Sequence, residues 1–265
     1  MGCHGSAIAA KAPNRVKRVV LVGMPNCGKS TLFNRLTGAA AFVGNWPGVT
    51  IDLLQATVPL QGRPVEFVDL PGIYDLNSFS QDEKVVSQFL QTFSIDLVLL
   101  VINASQIDRQ IRLVLQFKAL GLPAIVLLNM ADEAKRYGIQ IATDELSRRL
   151  EMPVLLTSAR YGRGHHRIQQ AIAEALAGQS SSYTVNSLDQ ALAAAEPITS
   201  ERLDRILEGS VIMPSQMQRS LTTRLDQILL HPIAGLPLFF FGMFIAFWLI
   251  WTLGLPSQDL MGLLT

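Results

Sequence analysis

The stretch Gly23-Met24-Pro25-Asn26-Cys27-Gly28-Lys29-Ser30 limits the fold of this chain more than any other. It reads G-x-x-x-x-G-K-S and lies between an apolar run, Arg18–Val22, and a helical pattern, Ser30–Thr37. A strand that turns through glycines into a helix brings several backbone N–H groups together at a helix N-terminus, which is a cradle for phosphate. Lys29 adds a point charge suited to β- and γ-phosphates, and the Ser30 hydroxyl suits Mg²⁺, with Thr31 continuing into the helix. Cys27 needs no more explanation than a small side chain inside a tight loop, because a redox role would require a lowered thiol pKa.

A phosphate loop of this kind needs a strand–helix framework, and the chain supplies one. Apolar strand patterns recur at Arg18–Val22, Ile51–Val58, Val65–Leu70, Leu97–Asn103, Ala124–Asn129 and Val154–Leu156. Helical patterns fall near Ser30–Thr37, Asp82–Thr92, Ile107–Leu120, Asp144–Leu150 and His166–Ala177. Several strands are apolar throughout, as in strands covered on both faces. The alternation predicts an α/β fold, a doubly wound and mostly parallel sheet of six or seven strands. Leu60-Gln61-Gly62-Arg63-Pro64 predicts a hairpin and therefore one antiparallel edge. Asp82-Glu83-Lys84 reads as the charged first turn of a helix.

The Ser-rich Gly178–Ser187 marks a linker. Beyond it the period is helical: Ser187 and Gln190 form a capping-box pattern, Ser200–Leu207 stops at Gly209, and Met217, Leu221, Leu225 and Ile228 share one helix face. The expected organisation is a tail over 1–15, a nucleotide-binding domain over 16–177, a helical regulatory domain or spacer over 178–230, and a membrane segment over 231–265. That last segment contains Leu236–Leu255, twenty residues without a charge. As a helix this run is roughly 30 Å long, the thickness of a bilayer's hydrocarbon core. A buried core helix is the alternative, but Trp248 and Trp251 near one end suit a membrane interface. Arg219 and Arg224 precede the run and no basic residue follows it, which orients the nucleotide-binding domain to the cytoplasm. The tail's MGCHGS fits an N-myristoylation pattern, but so short a pattern reads more simply as chance or a cloning remnant.

The base is read from Asn129-Met130-Ala131-Asp132, which follows the Ala124–Asn129 strand. A carboxylate at Asp132 can accept from guanine N1–H and from the 2-amino group, whereas adenine offers a bare acceptor there. Asn129 would brace the loops and reach N7. Ser158, Ala159 and Arg160 complete the pocket, with the Ala159 N–H directed to O6. Motif order and spacing favour GTP over ATP. At the γ-phosphate, Gly48-Val49-Thr50 and Asp69-Leu70-Pro71-Gly72 finish the site: Thr50 on Mg²⁺, Asp69 on the metal through a water, and the Gly72 N–H on phosphate. Gly44, Pro47 and Gly48 make the Thr50 segment turn-rich, the chemistry of an order–disorder switch, and Trp46 there either packs on the domain or meets a partner. The residue after Gly72 is Ile73, which can neither orient nor deprotonate a water.

Net charge of +1 argues against a nucleic-acid partner, and two cysteines leave no disulfide framework, in keeping with a reducing compartment. His165-His166 could in principle ligate a metal, but a pair without further ligands reads more simply as part of a solvated loop.

With GMPNCGKS, VGNWPGVT, DLPGIYDLNSFSQDEK, NMADEA and SARYGRG in this order, and HPIAGLPLFFFGMF after them, residues 16–265 resemble the cytoplasmic G domain and first membrane helix of bacterial ferrous-iron transporter B. The resemblance implies a longer polytopic permease in the bacterial inner membrane. It would move Fe²⁺ inward along a pathway outside this chain, with a helical domain that restrains GDP release. It also implies a GTPase in which Asn26 helps to hold K⁺ beside the β/γ bridge, Mg²⁺ being the other ion. Lys29, Asn26, Thr50 and Gly72 would then carry a slow hydrolysis, the water held by main-chain groups between Phe42 and Thr50. The rival role for Asn26 is a loop-stabilising hydrogen bond. Two other readings stand beside the transporter: a soluble GTPase of the ribosome- or tRNA-processing kind, and a nucleotide-regulated scaffold without turnover.

Overall fold

The computed structural model describes residues 15–38, 41–44, 53–77, 80–178, 182–185, 187–214, 229 and 235–262, with side chains described as far as 252 in the last stretch. The chain divides into two units, one through Pro214 and one from Ser215.

In the first unit, β1 (Lys17–Gly23), α1 (Lys29–Thr37), β2 (Phe42–Gly44), β3 (Leu53–Leu60), β4 (Arg63–Asp69), α2 (Gln81–Thr92), β5 (Leu97–Asn103) and α3 (Ile107–Ala119) follow in order. Then come β6 (Ala124–Asn129), α4 (Ala131–Arg136), β7 (Gln140–Ile141), α5 (Thr143–Leu150), β8 (Val154–Leu156) and α6 (His165–Ala177). α7 (Leu188–Ala194), α8 (Ser200–Leu207) and β9 (Val211–Ile212) complete it. Seven strands form one sheet in the order β2-β3-β4-β1-β5-β6-β8. The pairs from β4 through β8 are parallel, and β2 and β3 add an antiparallel edge. The expected hairpin is present. Leu60 pairs with Arg63, and Gln61 (φ 48°) and Gly62 (φ 77°) both turn through the left-handed region that a two-residue hairpin loop requires.

Every residue of β5 and β6 is buried, which explains their unbroken apolar character. One core layer takes Val20, Val22, Val98, Leu100, Val126 and Leu128 against α2 and α3, and the other takes Val19, Leu21, Leu99 and Leu127 against α1 and α6. β1 lies between β4 and β5, so the loops leaving β1 and β4 open at the point where the strand order turns, the usual crevice of such sheets.

The helices after the linker are not detached from this core. Val185 and Leu188 belong to the α2/α3 layer, Leu192, Leu203 and Ile206 pack against it, and α8 touches α3 and α5. A second, two-stranded sheet pairs β7 with β9, Gln140 opposite Ile212 and Ile141 opposite Val211. The apolar face of Met217, Leu221, Leu225 and Ile228 lies outside the described residues. In the second unit, α9 (Gly235–Gly262) runs for 28 residues. Its stretch Gly235–Thr252 has a mean hydropathy of 1.8, long and apolar enough to cross a membrane, and none of it is buried.

Candidate nucleotide site

The phosphate loop leaves β1 at Gly23, where a side chain would strike the Val101 carbonyl oxygen at 2.3 Å. Asn26 (φ 62°) and Gly28 (φ 83°) take the left-handed conformation that turns the loop into α1. Asn tolerates that conformation better than most side chains, which gives Asn26 a backbone reason to be there. Its side chain is exposed and makes no hydrogen bond to the described residues, so the loop-stabilising bond is not found. Gly28 admits no substitute, since a Cβ would meet Asn129 Nδ2 at 2.3 Å.

Lys29 and Asp69 are both buried and form an ion pair, Lys29 Nζ to Asp69 Oδ1. Ser30 Oγ donates to the other oxygen, Oδ2, at 3.1 Å. Lysine, hydroxyl and carboxylate thus converge at the ends of β1 and β4. The segment after Asp69 is pinned to β1 through its backbone: the Leu70 N–H donates to Leu21 O and the Ile73 N–H to Gly23 O, each at 3.1 Å. Gly72 abuts the loop so closely that a Cβ would lie 3.0 Å from Pro25 N. Ile73 is 1 % exposed and sits in the α2/α3 core layer, so its position is taken up by packing. A cavity of about 380 Å³ is bounded by Asn26, Lys29, Ser30, Gly72 and Asp82. Thr50, with Gly48 and Val49, lies outside the described residues, and the main-chain groups expected to hold water are described only for Phe42–Gly44.

Asn129 ties this end of the site to the base loops. Its Nδ2 donates to Cys27 O and its Oδ1 accepts from the Ala159 N–H, both at 2.9 Å. The bracing role expected of Asn129 is therefore present. The Ala159 N–H, expected to face guanine O6, is instead engaged by Asn129. Met130 (φ 59°) opens α4 from the left-handed region, and Asp132 in its first turn donates its N–H to Ser158 Oγ at 3.2 Å. The Asp132 carboxylate has no partner among the described residues.

Burial pushes the Cys27 thiol up to about 11, against the pull of Lys29, which leaves it inert. His165 and His166 are the first residues of α6: the helix read from His166 is present, and the loop reading of the pair is not. Burial first, then Arg35 and His166, lowers the pKa of His165. Among the described residues no His, Cys, Asp or Glu cluster could hold a metal. Ser30 and Asp69 still fit Mg²⁺, which takes hard oxygen donors, keeps several waters and often relies on substrate phosphates for the rest.

Sequence reasoning missed three contributors. Arg35 on α1 donates through Nε to Ala159 O (3.0 Å) and through Nη2 to Arg160 O (2.9 Å), stapling the base loop to the phosphate helix. Gln116 on α3 accepts from the Leu76 N–H (3.1 Å) and donates to Asp75 Oδ1 (2.6 Å). Asp82, read as a helix-start charge, also lines the phosphate cavity. The partner of Arg35 is 124 residues away and that of Gln116 about forty, so no local pattern announces either.

A parallel sheet with a phosphate loop, a buried lysine–aspartate pair and an asparagine clamp defines a domain of the P-loop GTPase class. The family model for ferrous iron transport protein B matches residues 17–172, and the chain belongs to that family, FeoB. It is 51% identical over 257 residues to the Fe(2+) transporter FeoB of Synechocystis, covering 97% of this chain and 42% of that protein. The chain therefore spans about two-fifths of the length of this relative. Among solved structures, the cytosolic domain of L. pneumophila FeoB is 37% identical with a TM-score of 0.58, covering 64% of this chain and 66% of that one. The G domain of T. maritima FeoB is 35% identical with a TM-score of 0.55, covering 61% and 99%. A soluble GTPase of the ribosome- or tRNA-processing kind is not favoured by these relatives.

Proposed function

We propose that this chain is the nucleotide-responsive part of a ferrous-iron uptake transporter. Its first unit binds GTP and GDP, hydrolyses GTP slowly, and gates by its nucleotide state the inward passage of Fe²⁺ through the remaining permease. On this reading α9 lies in the bacterial inner membrane and the GTPase unit in the cytoplasm. The observation that carries the reading is the Asn129 clamp, which joins the phosphate loop at Cys27 to the base loop at Ala159 with Asp132 alongside.

Lys29 supplies charge to the β- and γ-phosphates, and Gly72, packed on Pro25, brings its N–H to the γ-phosphate side. Ser30, Thr50 and, through a water, Asp69 would hold Mg²⁺, which neutralises phosphate charge. Thr50 and its neighbours Gly48 and Val49 would close on the γ-phosphate, as would Leu70 and Pro71 beside Asp69. Asp132 accepts from guanine, flanked by Met130, Ala131, Ser158 and Arg160. Ile73 is buried and cannot orient water, so turnover rests on electrostatics and main-chain groups, with Asn26 helping to hold K⁺.

Calorimetry with GDP, a non-hydrolysable GTP analogue and the adenine counterparts tests the base assignment. The wild type should prefer guanine by at least a hundredfold, and Asp132→Ala should lose most of that preference. Equal affinity for ATP and GTP analogues in the wild type ends the reading. Phosphate release in K⁺ against Na⁺ tests the ion: K⁺ should raise turnover several-fold, and Asn26→Ala should abolish the difference. An unchanged rate in Na⁺ removes the potassium step.

A further inference from the structure

A second cavity, of about 370 Å³, shares no residue with the phosphate cavity and takes part of its lining, Ala131, Asp132 and Ser158, from the base loops themselves. Its apolar wall is Ala134, Ile139, Ile141 and Leu156, and Lys135 and Arg163 stand at its rim. Both cations are exposed, and neither has a carboxylate partner among the described residues. Several cations of the unit do have carboxylate partners, Arg18 with Glu66, Lys118 with Glu151, and Arg148 and Arg149 with Glu145. The single acid lining the cavity is Asp132, so two positive charges face one negative. A volume at the small end of ligand pockets, an apolar wall and two cations without a described carboxylate partner, Arg163 resting over the Tyr161 ring, favour one ligand chemistry.

We propose that this cavity binds a small organic anion with a flat apolar body, of the size of a bicyclic aromatic carboxylate or sulfonate, and that its occupancy slows release of GDP. The coupling follows from the elements that bear the two cations. Lys135 lies on α4, one turn beyond Asp132. Arg163 closes the base-loop turn: its carbonyl accepts from Thr157 Oγ1 at 2.8 Å and from the Ser158 N–H at 3.2 Å. Asp132 and Ser158 are already joined by the 3.2 Å bond from the Asp132 N–H. An anion held by both cations would bridge α4 and the turn, and so restrain the parting of Asp132 and Ser158 that release of the base requires. The effect on release rests on the guanine reading, but occupancy of the cavity does not.

The test titrates naphthalene-2-sulfonate into the full chain in phosphatidylcholine nanodiscs by calorimetry, beside Lys135→Ala/Arg163→Ala in identical discs. Both substituted side chains are exposed and make no described hydrogen bond, and Arg163 gives up only its contact with the exposed Tyr161 ring, so the double variant should fold and bind GDP as the wild type does. One-to-one binding that weakens at least tenfold in the double variant is the expected result. Saturating sulfonate should slow dissociation of a fluorescent GDP at least threefold in the wild type and leave the double variant unchanged. Equal binding by the two proteins, or equally tight binding of uncharged 2-naphthol, overturns the site; an unaltered release rate in the saturated wild type overturns its action on the nucleotide. Failure of guanine selection itself shows separately, in the adenine comparison made without sulfonate.

Discussion

Cys27 lies two positions before Lys29 yet is fully buried, and the loss of water around its sulfur outweighs the nearby positive charge. With its thiol raised from 9.0 to about 11, the folded protein keeps Cys27 protonated where the unfolded chain would ionise it. That stabilisation is complete below about pH 9 and is lost as pH rises towards 11, amounting to about 3 kcal/mol over the interval. Thermal unfolding of wild type and Cys27→Ser should therefore diverge in pH dependence between pH 9 and 11, the wild type falling more steeply. Parallel curves would mean that the sulfur is not desolvated. At this scale the sequence was most legible where a constraint is local. Gly28 and Gly72 stand in recognisable motifs, and the structure supplies the reason, a Cβ having no room beside Asn129 or Pro25. Arg35 and Gln116 were not legible, because a surface arginine and a helical glutamine look alike in sequence whether or not a distant loop meets them.

Between residue and domain, α3 holds the segment that succeeds Gly72. Gln116 is 1 % exposed and binds both Leu76 and Asp75, and Arg112 Nε lies 3.4 Å from Asp75 Oδ2. Gln116→Ala strands a buried N–H, and should cost about 1–3 kcal/mol. It should also speed amide exchange at 74–77 while leaving the β5 and β6 amides protected. Uniform exchange across the sheet would show that the glutamine supports the whole core and not this segment. The long elements were readable from their periods, and α2 also from its charged first turn, to which the structure adds a reciprocal cap between Ser80 and Glu83. The short ones were not. Three residues of β2 or two of β7 and β9 carry no period, and their pairing is decided by partners far along the chain. α4 left one unread sign: acids at Asp132 and Glu133 and bases at Lys135 and Arg136 complement the helix dipole.

The first unit, closed at Pro214, has its own two-layer core, and the apolar α9 belongs to the second. A chain ending at Pro214 should stay soluble without detergent and bind GDP within twofold of the full chain, which should itself need detergent or lipid. Aggregation of the shortened chain, or loss of GDP binding, would show that the first unit depends on the second. The fold class was legible at this scale because alternating strands and helices with a phosphate loop admit few topologies. The packing of α7 and α8 on α3 was not, since an amphipathic helix does not say which surface it covers.

The last paired residues before Pro214, Val211 and Ile212, are laced to Gln140 and Ile141, and the Pro214 ring rests within 3.4 Å of where a Gly138 side chain would begin. The polypeptide thus departs for its second unit from beside the helix that bears Asp132. Any pull on the departing chain would therefore fall first on the β7–β9 pairing, a short turn away from α4.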